Sequence, residues 1–261
     1  MDWTFGHIDF STFPEYTEKP LGINYKHNET WFRLWAPTAH SVVFRLYKQG
    51  SGSCLISEHS MIKGHAGEWE ILLTGDFHGF YYTVQCLIHG NWMNEVPDPY
   101  AYAVGVNGKR GLICDFSQTN PENWQHDQRQ LPEQYSDVVL YELHVRDFSI
   151  DPHSGIQHKG KYLAFTETGT RSPEGVKTGI DHLKELGITH VHLLPVFDFF
   201  TVDESRLELN EYNWGYDPLN FNALEGSYAT DASDGTVRIR EFKQLVQSLH
   251  AQGIGVIMDV V

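Results

Sequence analysis

Along roughly the first 120 residues, apolar positions recur at every second residue in short runs that Gly, Pro and Asn interrupt. Runs at 31–35, 41–47, 69–73, 81–87 and 111–116 carry this alternation, which predicts strands with one face in a core. In Phe32-Arg33-Leu34-Trp35-Ala36-Pro37 the period of two sends Phe32 and Leu34 inward and leaves Trp35, beside Pro37, as a packing residue. The number and spacing of the runs predict an all-β sandwich of immunoglobulin size over residues 20–118, preceded by an N-terminal segment, 1–19.

From residue 119 the period lengthens. Residues 138–145 read as a strand, and 174–186 as a helix with Val176, Ile180, Leu183 and Leu186 on its apolar side, closed by Gly187. A second strand at 189–196 follows, then a helix at 237–252 with Phe242, Leu245, Val246 and Leu249 on one face. Gly253 ends that helix, and 254–261 is a strongly apolar third strand. An order β-α-β-α-β demands parallel strands with right-handed crossovers, so residues 119–261 are expected to form an α/β domain. The segments leading from strand to helix, 147–173 and 197–235, are long, whereas the returns are nearly absent. Long loops of this kind carry function, and parallel sheets place their sites on that face.

Composition narrows the ligand more than the fold. With 34 acidic against 19 basic residues the net charge is −15, which argues against nucleic acid or an anionic membrane as partner and leaves a neutral ligand such as carbohydrate. Cys54, Cys86 and Cys114 form no CxxC pair and read as reduced thiols of a cytoplasmic protein. Met1-Asp2-Trp3-Thr4-Phe5 shows no signal-peptide pattern, and no run reaches membrane-spanning length. The 15 histidines include no HExxH motif and no zinc spacing, so neither a metal nor a cofactor is expected; a structural calcium is compatible with the sequence without being indicated by it.

The densest chemistry is Tyr212-Asn213-Trp214-Gly215-Tyr216-Asp217-Pro218, inside the second long loop. Aromatic faces stack on pyranose C–H surfaces, and Asp and Asn bind hydroxyl rims, so the run suits a sugar site. The plainer alternative is an aromatic corner of a core. Glu142, His144 and Arg146 alternate along the first strand opposite Tyr141, Leu143 and Val145. A hydrogen-bonded polar layer beneath a site is favoured there over an acid–base pair, and His190 and His192 are read in the same way.

These residues resemble a type I pullulanase, a starch-debranching enzyme of the α-amylase superfamily (glycoside hydrolase family 13). The resemblance runs over residues 20–261: Asp98-Pro99-Tyr100-Ala101 to Val106-Asn107-Gly108-Lys109-Arg110-Gly111 is similar to the junction after the family's starch-binding-type sandwich. Tyr141-Glu142-Leu143-His144-Val145-Arg146-Asp147-Phe148 resembles its first barrel strand, Lys159-Gly160-Lys161-Tyr162-Leu163-Ala164-Phe165-Thr166-Glu167 the loop after it, and Gly187-Ile188-Thr189-His190-Val191-His192-Leu193-Leu194-Pro195 its second-strand region. The run at 212–218 is similar to the signature that separates these pullulanases from other relatives.

The resemblance implies a carbohydrate-binding-type sandwich followed by the first three strands of a (β/α)8 barrel. It implies retaining hydrolysis of α-1,6 linkages in pullulan, glycogen, amylopectin, starch or limit dextrins. Tyr216 would stack beside the scissile bond, with Tyr212, Asn213, Trp214 and Asp217 around the sugar, while Asp259, His144 and Glu142 would support the site from behind. In the family the nucleophile and general acid, about 5–5.5 Å apart in retaining enzymes, come from strands four and five. Asp259-Val260-Val261 would normally continue into an Asn-His pair. These 261 residues are therefore expected to be part of a longer enzyme and inactive alone, with 254–261 as an exposed strand prone to self-association. The alternatives are an isoamylase or branching-enzyme relative and a non-catalytic glucan-binding module.

Overall fold

A computed structural model describes residues 10–129 and 131–261, so residues 1–9 of the expected N-terminal segment, including the start read for a signal peptide, lie outside the described residues. The first part is a two-sheet sandwich. One sheet orders β1 (Gly22–Lys26), β2 (Glu29–Trp35), β6 (Glu68–Thr74) and β5 (Ile62–Lys63). The other orders β4 (Leu55–Ser60), β3 (Ser41–Tyr47), β7 (Tyr81–Ile88) and β8 (Asn91–Trp92), with β9 (Gly111–Leu112) also on β7.

As the alternation requires, Phe32 and Leu34 are buried, and the rings of Phe32, Phe44 and Tyr82 meet at 5.1–5.5 Å between the sheets. Tyr82 buries its hydroxyl by donating to the Asp98 carboxylate, so the inward phenol is satisfied. Trp35 packs as expected and donates its indole N–H to Ala66 O at 3.0 Å. The run at 111–116 yields only two strand residues, because Asp115 caps a 3-10 turn at Phe116–Thr119 through the Ser117 amide.

Three parallel strands follow in the order β10 (Leu140–Leu143), β11 (His190–Leu193) and β14 (Gly255–Met258). Each is shorter than the apolar run that predicts it. Pro195 has no N–H to extend β11, and after Leu143 the chain turns, with Phe148 N bonding back to His144 O at 3.0 Å. The crossover helices are α1 (Gly179–Leu186) and α2 (Gly235–Ala251). Helix α1 begins five residues later than periodicity suggests, since Ser172–Val176 closes a turn through Ser172 N to Val176 O at 2.9 Å. Val176 and Leu186 are accordingly exposed, while Ile180 and Leu183 are buried.

The long strand-to-helix segments contain structure of their own. In the first, a 3-10 turn at Tyr162–Thr166 sends Tyr162, Ala164 and Phe165 into the core beneath the sheet. In the second, β12 (Phe197–Phe199) and β13 (Pro218–Leu224) pair antiparallel, so residues 200–217 project as the tip of a ribbon. The two halves of the chain share a cluster of Tyr47, Tyr81, Ala103, Leu112, Cys114 and Ile239, and Lys243 of α2 ties Phe116 O, Thr119 and Asn120 at 2.7–3.1 Å.

Candidate substrate-binding site

The signature residues occupy the ribbon tip, above the C-terminal ends of β10, β11 and β14. Their backbone is pinned from three directions. Gly215 has φ 93° and lies so close to Pro195 that a Cβ would collide with the Pro195 carbonyl, which explains glycine there. Asn213 donates to Thr201 Oγ1 at 2.5 Å and Asp217 Oδ1 at 2.7 Å, and it accepts from Gly215 N at 2.7 Å. His144, buried at the end of β10, accepts from Asp147 N through Nδ1 at 3.3 Å; its proton is thus on Nε2, which donates to Asn213 O at 2.8 Å. Tyr228 OH stands 3.0 Å from the same Nε2.

The amide of Asn213, expected at the sugar, is thereby engaged within the loop. Asp217 has one oxygen bound by Asn213, and its Oδ2 has no hydrogen-bond partner among the described residues. The three rings stay accessible: Tyr212 is 45%, Trp214 61% and Tyr216 47% exposed. They do not form one platform. Tyr212 lies 5.0 Å from the His144 ring and, with Trp214, overhangs an open cleft of about 1000 Å³ that Glu142, His144 and Asp147 also line. Tyr216 reaches toward β14, where its hydroxyl donates to Asp259 Oδ2 at 2.5 Å. That bond, more than burial, raises the phenol to about 12, so the proton stays on Tyr216 through the neutral range. Glu142 and His192 are cross-strand neighbours on β10 and β11, with Ile257 next in the row.

Beneath the ribbon is a feature that sequence reasoning missed. Arg238 of α2, fully buried, donates to Asp198 Oδ1 at 3.3 Å, Glu204 Oε2 at 2.8 Å, Leu224 O at 3.0 Å and Ala232 O at 3.2 Å. Glu225 is buried beside them and accepts from Phe199 N at 3.1 Å and Ser227 N at 2.7 Å. Three desolvated carboxyls around one guanidinium cannot all ionise cheaply. Burial is the leading cause that pushes Asp198 up to about 7 and Glu225 well above the usual carboxylate range, with the neighbouring acids reinforcing the rise.

Oxygens of Asp198, Glu204 and Glu225 lie within 4.8 Å of one another, close enough to hold a cation, yet the guanidinium already bonds two of the three. The cluster is an ionic clasp, and Gly226 lacks a Cβ because one would strike Arg238 and Glu204. Asn107, from the junction after the sandwich, extends the clasp: its amide group bonds Asp203 Oδ1 at 2.9 Å and Glu204 N at 2.7 Å. One sequence signal marks the clasp, since Arg238 stands one turn before Phe242 on the apolar stripe of α2.

Comparison with known proteins agrees with this architecture. The family model for the α-amylase catalytic domain matches residues 116–261, and that for carbohydrate-binding module 48 (isoamylase N-terminal domain) matches residues 20–101. The chain is 42% identical over 248 residues to the pullulanase of Bacillus subtilis (strain 168), covering 94% of this chain and 33% of that protein. It is 31% identical to the chloroplastic pullulanase 1 of Arabidopsis thaliana, covering 93% of this chain and 28% of that protein. Among solved structures, the pullulanase from Paenibacillus barengoltzii in complex with maltohexaose and α-cyclodextrin superimposes with TM-score 0.91 at 49% identity, covering 94% of this chain and 38% of that one. The chain thus spans about a third of the length of the curated pullulanase from Bacillus subtilis. With its catalytic-domain match over more than half its length and a carbohydrate-binding module ahead of it, the chain belongs to the α-amylase family and has pullulanases among its relatives.

Proposed function

We propose that the protein containing these residues is a debranching glycoside hydrolase that cleaves α-1,6-glucosidic linkages in pullulan, glycogen, amylopectin or limit dextrins with retention. The observation that carries this reading is the Tyr216–Asp259 bond: it holds an exposed ring from the signature loop at the end of the third parallel strand. A ring fixed in that way can stack on a glucosyl unit without losing the entropy of ordering a mobile side chain. The crystallised relative from Paenibacillus barengoltzii binds maltohexaose and α-cyclodextrin, which supports an α-glucan as ligand here.

In this reading β10, β11 and β14 are the first strands of a (β/α)8 barrel, and the carboxylate pair comes from later strands. The present residues grip and orient the glucan. Tyr212 and Trp214 serve the cleft beside β10, Tyr216 serves the reacting sugar, and Asp217 offers Oδ2 to a hydroxyl. His144 and Asp259 hold the loop in place. Three free cysteines support the cytoplasmic assignment. Product analysis tests the activity. The full-length protein should release maltotriose from pullulan and leave amylose uncut; cleavage of amylose with pullulan untouched would overturn the assignment.

A further inference from the structure

Beside the signature loop lies a small pocket of about 110 Å³, between the segment at 144–161 and ribbon residues 199–213. At about 30 Å³ per water it has the volume of roughly four waters, which suits a tetrahedral oxyanion rather than a sugar. Its lining is basic in a chain whose net charge is −15: Arg146, Lys159, Lys161 and Arg206 stand against one carboxylate, Glu211. Such a concentration of one sign attracts an anion.

Tyr228 also lines the pocket and is only 3% exposed. Its hydroxyl has one neighbour, His144 Nε2 at 3.0 Å. That nitrogen carries the ring's proton, because Nδ1 accepts from Asp147 N, so it cannot accept from the phenol. The Tyr228 O–H proton is therefore a buried donor with no acceptor among the described residues, a costly arrangement that an oxygen in the pocket would relieve.

The lysines have donors to spare as well. Lys161 Nζ donates to Ser227 O at 2.7 Å and keeps two further N–H groups. Burial lowers its pKa although Glu241, Glu225 and Glu204 act to raise it, so those acids leave the ammonium incompletely compensated. Lys159 Nζ donates to Asp151 O at 2.9 Å and Ser154 Oγ at 2.8 Å, which leaves one N–H. Arg206 makes no side-chain hydrogen bond among the described residues, and its Nε stands 3.9 Å from Glu208 Oε1. Arg146 is the most engaged, bonding Asp147 and Asn210 at 2.8 Å. The opposing carboxylate is occupied, since Glu211 Oε2 accepts from Asp203 N at 3.0 Å.

We propose that this pocket binds a tetrahedral oxyanion, either free phosphate or the phosphate of a sugar ester, held by Lys161, Lys159, Arg206 and the Tyr228 hydroxyl. The site is separate from the stacking rings of the signature, and it does not depend on the α-glucan reading.

Calorimetric titration of the chain with sodium phosphate, against sodium chloride at matched ionic strength, tests the proposal. Phosphate should bind and chloride should not, and bound phosphate should slow amide exchange around Gly160, Asn213 and Tyr228. Lys161→Gln and Tyr228→Phe should each weaken phosphate binding by about ten-fold or more, and the more exposed Arg206→Gln by about two- to five-fold. Lys184→Gln, on the exposed side of α1, should leave it unchanged. The Tyr228→Phe and Arg206→Gln variants keep the test open if Lys161→Gln does not fold. Glucose 6-phosphate separates the sources: equal affinity identifies a pocket that admits an ester, and binding of inorganic phosphate alone identifies a free-anion site. No heat from phosphate in the wild type, slowed exchange confined to other segments, or a loss in Lys184→Gln equal to that in Arg206→Gln would overturn the proposal.

Discussion

The sandwich and the parallel sheet each bury a substantial apolar core, but they order themselves by different means. In the sandwich, two sheets face each other over Phe32, Phe44, Trp69 and Tyr82, and each sheet supplies the cover for the other. In the α/β half, α1, α2 and the Tyr162–Thr166 turn cover one face of β10–β11–β14. On the other face Leu140, Glu142 and Ile257 are exposed, and β10 and β14 each pair on one side among the described strands. What keeps the signature ribbon in place there is a set of polar contacts from afar: Arg238 in α2, Asn107 in the junction and His144 just after β10. The comparison teaches that the α/β half is specified by charges and amides brought together from distant positions, whereas the sandwich is specified by its local pattern.

The largest effect should come from removing the centre of each half. Arg238→Met leaves Asp198, Glu204 and Glu225 buried without their cation, a loss on the order of 3–5 kcal/mol. Hydrogen exchange should show the ribbon and α2 opening while the sandwich stays protected. Phe32→Ala, by emptying the sandwich core, should cost about the same, roughly 3–5 kcal/mol, and should reverse the pattern of protection. Equal loosening of both halves by either variant would show that the shared cluster around Tyr81 and Ile239 makes them one cooperative unit.

Next in size is function. On the proposed function, Tyr216→Ala in the protein containing these residues should lower kcat/KM by roughly 10–1000-fold, because a ring stacked on a sugar that flattens toward an oxocarbenium ion would contribute most in the transition state. Tyr216→Phe keeps the ring but loses the bond to Asp259, so it should fall between wild type and alanine. An unchanged kcat/KM in a folded Tyr216→Ala protein would return the signature to a packing role.

A smaller effect is expected from pH. Asp198 titrates near 7 when folded and at about 3.9 when unfolded, and Glu225 is shifted in the same direction. Between those values the folded state holds protons that the unfolded chain has released. The resulting stabilisation is complete below the unfolded value and is lost as pH rises through about 7. Urea midpoints of the α/β half should therefore fall between pH 5 and pH 8, and Asp198→Asn should flatten that slope. A midpoint rising with pH across this window would contradict the clasp as described.

The smallest effect concerns the strand edges. Amides on the unpaired sides of β10 and β14 should exchange faster than those of β11, and residues 254–261 should drive concentration-dependent association of the 261-residue chain. Uniformly slow exchange in a monomer would show the three-stranded sheet to be self-sufficient.

Local pattern determined much of this protein. A period of two places Phe32 and Leu34 inward, a period of 3.6 places Leu245 and Leu249 under the sheet, and Gly187 and Gly253 stop the helices. The same reading misses β4, whose Leu55 and Ile56 are exposed on an edge strand and so leave no burial pattern, and it takes the β12–β13 ribbon for a loop. The signature at 212–218 was legible as aromatic chemistry, but its division into a Tyr212–Trp214 side and a Tyr216–Asp259 side was not. Tertiary structure alone decided that division and the Arg238 clasp. The physical reason is that hydrogen bonds and desolvation act over a few ångströms in space, whereas periodicity reports only on neighbours in the chain. Asn107, Asp198, Glu225 and Arg238 become neighbours only when the sandwich, the ribbon and α2 have packed.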